Sequence, residues 1–119
     1  MNKLLVLIAL FIASNSLSFA QVSVEGVDIN NLDIQYCELV GYKKSLVGSK
    51  IVVVVDYGQE FKLFQSQLIK GPDGNAVVFN TMVDALNFME KNGWEYLNNY
   101  VITSGNSLIY RYLLQRKEE

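Results

Sequence analysis

The chain has 119 residues, with ten Lys and Arg against twelve Asp and Glu, no histidine and one cysteine. The absence of histidine removes the commonest general base and the commonest metal ligand together. The single cysteine excludes an intramolecular disulfide, so stability must come from packing.

Residues 1–20, MNKLLVLIALFIASNSLSFA, carry one early positive charge at Lys3, an apolar run from Leu4 to Ala13, and Ser18-Phe19-Ala20 ahead of Gln21. That order describes a secretory signal peptide with an S-x-A cleavage site. A membrane anchor would need roughly 18 unbroken apolar residues, and Ser14, Asn15 and Ser16 interrupt this run. The expected protein is therefore exported, periplasmic or secreted, and free of the membrane after cleavage. Cleavage leaves 99 residues, enough for one domain with a single core. With nine Lys and Arg against twelve Asp and Glu, its formal charge is −3. Nucleic acid is not an expected partner, because phosphate binding needs a basic patch.

Gln21 to Asn31, QVSVEGVDINN, mixes Val and Ile with Gly, Asp and Asn and predicts an extended N-terminal arm before a single α+β domain over 32–119. From Leu32 the pattern turns β-like through LDIQYCELVGYKK. SLVGS predicts a turn, and KIVVVVDYG predicts a strand rich enough in β-branched residues to be covered on both faces. In the next piece Gly71-Pro72-Asp73-Gly74 is a strong turn signal, predicting short strands at Gln67 to Lys70 and Ala76 to Phe79. Phe61 to Phe64 reads equally as a strand edge or one helical turn.

Asn80 or Thr81 is placed to cap a helix, with Asp84 as a capping-box partner. Met82, Ala85, Leu86 and Met89 form one apolar stripe at i, i+3, i+4 and i+7. Lys91 suits the helix C-terminus, and Gly93 suits a left-handed stop. Trp94 must then begin a strand directly against the helix end. GWEYLNNYVI and SLIYRYLLQRK, joined by Thr103-Ser104-Gly105-Asn106, predict a second hairpin. The expected fold is α+β: a predominantly antiparallel sheet of two hairpins, β-β-α-β-β with a turn-bearing insert, and one helix packed on one face.

The segment Leu86-Asn87, Gly93-Trp94-Glu95, together with YLLQRK from Tyr112 to Lys117, resembles a family of small exported bacterial domains marked by L-N-x-x-x-x-x-G-W-E. VDYGQ from Val55 to Gln59 extends the likeness. The resemblance implies a fold; that family has no assigned activity, so it implies no site residue.

The residues themselves supply no catalytic, cofactor-binding or metal-binding set. Triads of the usual types cannot be assembled, and the acidic residues lack calcium-loop spacing. Asp56, Glu60 and Glu95 could in principle form a carboxylate pair of the kind a glycosidase uses. Cys37 suits a small buried apolar position, against the alternative of a reactive or intermolecular thiol. The seven tyrosines suit packing ahead of a sugar or peptide platform. Strict alternation along the last two strands puts Leu97, Val101, Ile109 and Leu113 on one face beside Glu95 and Arg111. One short helix covers only one face, so this second, half-apolar face needs other cover. The expected function is accordingly a non-enzymatic interaction module, binding a protein partner or a second copy through the sheet face. The alternative is a small ligand-binding domain or hydrolase using carboxylates and tyrosines. The leader generates the first prediction: the intact mass of protein recovered from the exported fraction corresponds to a chain beginning at Gln21, and retention of residues 1–20 contradicts the signal-peptide assignment.

Overall fold

A computed structural model of the protein describes residues 22–43, 51–60 and 67–118. The leader, the SLVGS turn and Phe61 to Phe64 lie outside the described residues. The elements in chain order are β1 (Ser23–Val24), β2 (Val27–Asp28), a 3-10 turn at Ile29–Asn31, β3 (Tyr36–Lys43), β4 (Ile51–Asp56), β5 (Ile69–Lys70), α1 (Met82–Lys91), β6 (Trp94–Ser104) and β7 (Ser107–Arg116).

Among the described residues the architecture is mostly antiparallel sheet with one helix, but it contains two sheets where the sequence predicts one. The larger has the order β4-β3-β7-β6, and the smaller has the order β2-β1-β5. Residues 22–31, expected as an extended arm, fold back as the β1–β2 hairpin and the 3-10 turn, with Val22, Val24 and Ile29 fully buried. The hairpin closes through Glu25 and Gly26 at φ +55 and +78, the two left-handed positions of a type I′ turn. Glutamate is an uncommon residue there, and two-residue strands are too short to show a period of two. The insert supplies the third strand, since β1 pairs with β5 and a bridge joins Lys70 to Ala76 across the Pro72 turn. In that turn Gly74 N–H donates to Gly71 O at 3.0 Å, and Asp73 Oδ1 accepts from Asn75 N–H.

The helix begins and ends as its sequence implies. Thr81 caps it, its hydroxyl accepting from Asp84 N–H at 3.2 Å while Asp84 Oδ2 accepts from Asn80 N–H. Gly93 follows at φ +93, where a Cβ would be strained. Met82, Ala85 and Met89 are buried and Leu86 packs beside them.

The helix lies against the face of the large sheet that carries Cys37, Leu39 and Gly41. At Gly41 a methyl group would meet Met82 Sδ, so the missing side chain leaves room for the Met82 thioether. The same face continues through Val53 and Val55 on β4 and Tyr112 and Leu114 on β7, by register. Val22, Val24, Ile29, Ile69 and Phe79 complete one core. The small sheet and α1 thus form a single layer over one face of the large sheet, giving a two-layer α+β sandwich.

Trp94 is 1 % exposed within this core. Its Nε1–H donates to Asn30 Oδ1 at 2.7 Å. Truncating a buried Trp costs about 3–5 kcal/mol, a large share of the roughly 5–15 kcal/mol that holds a domain. Trp94→Ala is therefore expected to unfold or nearly unfold the protein in a denaturant titration; a variant of unchanged stability contradicts the core assignment.

Cys37 is a buried free thiol, and burial pushes its pKa up to about 12. The unfolded thiol ionises near 9.0, so above that pH the folded state retains a proton that the unfolded state has lost. Stability fully present below pH 9.0 is then lost as pH rises toward about 12. The expected outcome is a steeper alkaline loss of stability in the wild type than in Cys37→Ala across that window, together with slow native labelling by a thiol reagent. Parallel alkaline profiles, or fast labelling of the native protein, contradict the burial.

Candidate functional site

Residues paired across neighbouring strands share a face, so the register defines the face away from the helix. It comprises Glu38, Val40 and Tyr42 on β3, Val52, Val54 and Asp56 on β4, and Ile109, Arg111 and Leu113 on β7. None of Val40, Val52, Val54, Ile109 and Leu113 joins the core cluster. All five are half-buried.

A β-bulge changes which residues of β6 belong to this face. Tyr96 pairs with Leu114, but Asn98 pairs with Leu113, leaving Leu97 as the extra residue. One inserted residue reverses the alternation for everything that follows. Val101, expected beside Ile109 and Leu113, instead pairs with Tyr110 on the helix side, and Tyr100 and Ile102 take the opposite face against Arg111 and Ile109. The side-chain contacts agree: the rings of Tyr96 and Tyr112 lie 6.0 Å apart, and the Tyr96 hydroxyl bonds Asn99, all on the helix side.

At the centre of the open face, Arg111 forms an ion pair with Glu38, and the Tyr100 hydroxyl donates to Glu38 Oε2 at 3.4 Å. Hydrogen bonding to Glu38 raises the Arg111 pKa further. Asp56 sits directly across from Glu38 in the β3–β4 register, so Arg111 faces two carboxylates. Sequence reasoning did not single out Glu38; the available signal was one acid and one base, each flanked by apolar residues within its strand. Beside the cluster, Val40, Val54, Asp56, Gln59, Gln67 and Arg111 line a shallow recess of about 220 Å³, smaller than the roughly 300–1,000 Å³ typical of ligand pockets.

Of the carboxylates considered from the sequence, Asp56 and Glu95 are not brought together. Asp56 lies on β4 and Glu95 on β6, the two outer strands of the large sheet. Three interstrand spacings separate their backbones by about 14 Å, beyond the roughly 5–9.5 Å that glycosidase carboxylates require. Glu60 is exposed. Among the described residues no group of three Cys, Asp or Glu converges as metal ligands, and no helix is long and apolar enough to cross a membrane.

A second recess, about 430 Å³, lies where the helix ends, lined by Asp28, Asn30, Asn31, Asn92, Gly93, Arg116 and Lys117. Its polar groups hold the chain together. Arg116 donates to Leu32 O and Ile29 O at 2.8 and 2.9 Å, and its guanidinium lies 5.2 Å from the Trp94 ring centre. Lys117 Nζ donates to Glu90 O at 2.9 Å, and Asn30 Nδ2 donates to Asn92 O at 3.0 Å. Asn92 donates to Phe88 O at 2.7 Å, while its Oδ1 is buried without a hydrogen-bond partner. This recess is a clasp between the 3-10 turn, the helix end and β7.

Along the β6–β7 hairpin several large apolar side chains are exposed. Tyr100 is 48 % exposed, Val101 50 % and Ile102 41 %, with Tyr96, Leu97 and Leu108 similarly open along the same hairpin. Comparison of the chain with known protein families, curated proteins and solved structures finds no match.

Proposed function

We propose that this chain is an exported, non-enzymatic protein-interaction module that makes its contact through the β6–β7 hairpin and the open face of the large sheet. The observation that carries the reading is the run of half-exposed aromatic and aliphatic side chains from Tyr96 to Ile102 and at Leu108. These side chains lie on both faces of one hairpin, Tyr96, Val101 and Leu108 on the helix side and Tyr100 and Ile102 on the other, and exposed apolar surface concentrated on one element marks interaction sites. Burying each such side chain is worth about 1.5–3 kcal/mol, and exposed tyrosines add amphipathic rings that suit protein contacts. The alternative, a ligand-binding domain or hydrolase built on carboxylates and tyrosines, would use Glu38, Asp56 and Tyr100. It is the weaker reading because Glu38 is already engaged by Arg111 and Tyr100 and the adjoining recess is small.

The test is photo-crosslinking in the cells that make the protein. With a benzophenone amino acid in place of Tyr100, the reading predicts a discrete protein adduct. The same probe in place of Asn87, on the exposed side of α1, yields none. Absence of an adduct at position 100, or equal labelling from both positions, overturns it.

A further inference from the structure

The two edges of the large sheet are finished differently. Along β4, Val55 N–H donates to Gln67 O at 3.1 Å, Ile51 N–H donates to Phe79 O at 3.4 Å, and a bridge joins Val54 to Leu68. The chain's own insert therefore occupies that edge. Along β6, the other edge, β7 is the only strand partner among the described residues. Exposed edges are ordinarily protected by lysine, proline, brevity or a bulge. β6 is eleven residues long with no lysine or proline, and its only charge is Glu95 at the sheltered end. Its bulge falls at Leu97, which leaves the seven residues Asn98 to Ser104 regular and uncharged, with Asn98 Oδ1 accepting from Asn99 N–H at 2.8 Å.

The direction of the backbone groups in this segment follows from the hairpin turn. Ser104 pairs with Ser107 across Gly105 and Asn106, with Gly105 at φ +60, so the connection is a two-residue turn of type II′. The pair flanking such a turn is hydrogen bonded, and the pattern then alternates. Ser104, Ile102 and Tyr100 direct their N–H and C=O groups toward β7. Thr103, Val101 and Asn99 direct theirs outward.

We propose that this edge pairs with the same edge of a second copy, antiparallel and centred on Val101. The inference rests on the interaction-module reading above and names the partner and the register. Centring on Val101 sets Asn99 opposite Thr103 and Val101 opposite itself, so outward-facing groups meet outward-facing groups in about six backbone hydrogen bonds, two of which exchange the bond from Asn99 N–H to Asn98 Oδ1 for one to the partner strand. Tyr100 then faces Ile102 on the open face, an aromatic and β-branched pair of the kind that stabilises sheets. Asn98 faces Ser104. No like charges oppose one another, because the segment has none. The two-fold axis is perpendicular to the sheet, so both helices lie on one side and both open faces on the other. The result is a continuous eight-stranded sheet with an isologous, closed interface.

The test uses the exported protein and its variants in sedimentation equilibrium and oxidative crosslinking. The wild type is expected at twice the chain mass. Val101→Lys places two ammonium groups at the axis and is expected to halve the mass while leaving circular dichroism unchanged and melting cooperative but no longer dependent on concentration. Ile109→Lys, on the open face but one strand in from the edge, is expected to remain dimeric. Register is read directly in a Cys37→Ala background. Tyr100 and Ile102 of opposite copies form a non-hydrogen-bonded pair with Cα atoms about 4.5 Å apart, within disulfide reach. Mixed Tyr100→Cys and Ile102→Cys chains should then crosslink to each other, and neither should crosslink alone. A dimer dissociated by Ile109→Lys but not by Val101→Lys, or homotypic crosslinks from either single variant, overturns the edge pairing while leaving the interaction module standing. A wild type that stays monomeric at tens of micromolar also overturns the pairing. The module then stands only if the probe at position 100 captures a protein of a different mass, and it falls with the pairing if no adduct forms.

Discussion

The hydrogen bond from the Trp94 indole to Asn30 holds together parts of the chain 64 residues apart in sequence. A buried indole N–H needs an acceptor, and here the 3-10 turn after the first hairpin provides it. The guanidinium of Arg116 closes the other side of the ring and binds two carbonyls of the same turn and its exit. Gly93 makes the meeting possible, since its positive φ lets the helix stop and β6 start without a loop. Lys117 N–H then donates to Gly93 O at 2.8 Å, tying the end of β7 to the same point. Helix, first hairpin and final strand are thus registered to one side chain.

This clasp sits at one end of the long hairpin, and the asymmetry of the molecule follows from it. Near Trp94 the sheet is covered by α1 and by the small sheet. Further along, β6 and β7 outrun the ten-residue helix, and their side chains become exposed on both faces. The apolar character of those positions persists although nothing in the covering layer reaches them. A strand that remains apolar beyond its own core is better suited to contact than to solvent, and this links the packing at Trp94 to the proposed function at Tyr100 to Ile102.

The charged cluster of the open face serves position more than stability. Glu38 and Arg111 are both partly solvated, and pairs of that kind contribute only about 0–1 kcal/mol. Their geometry is nevertheless directional: Arg111 reaches across from β7 to β3, and Tyr100 reaches in from β6 to the same carboxylate. Three strands are cross-linked on a face that lacks a packed core. A sheet fixed in this way presents its edge as a rigid template, which lowers the ordering cost of pairing with another strand.

Much of the local structure was legible in the residues alone. The helix from Met82 to Lys91, its Thr81 cap, the stop at Gly93, the burial of Trp94 and Cys37 and the Pro72 turn all follow from interactions within a few positions or from the 3.6-residue period. The two large hairpins were legible for the same reason. What only the tertiary structure decided was phase and pairing. Residues 22–31 carry no periodic signal, because their strands are two residues long and their turn uses Glu25; burial against β5 and the core makes them a sheet. The short strands of the insert were legible from the Pro72 turn, but their pairing with β1 was not. The face of Val101 could not be counted from Trp94, because the extra residue at Leu97 reverses the alternation and is visible only against Leu113 and Leu114 of the partner strand. Periodicity specifies a strand with its neighbours absent, whereas a bulge, a register and an uncovered edge exist only as relations between strands.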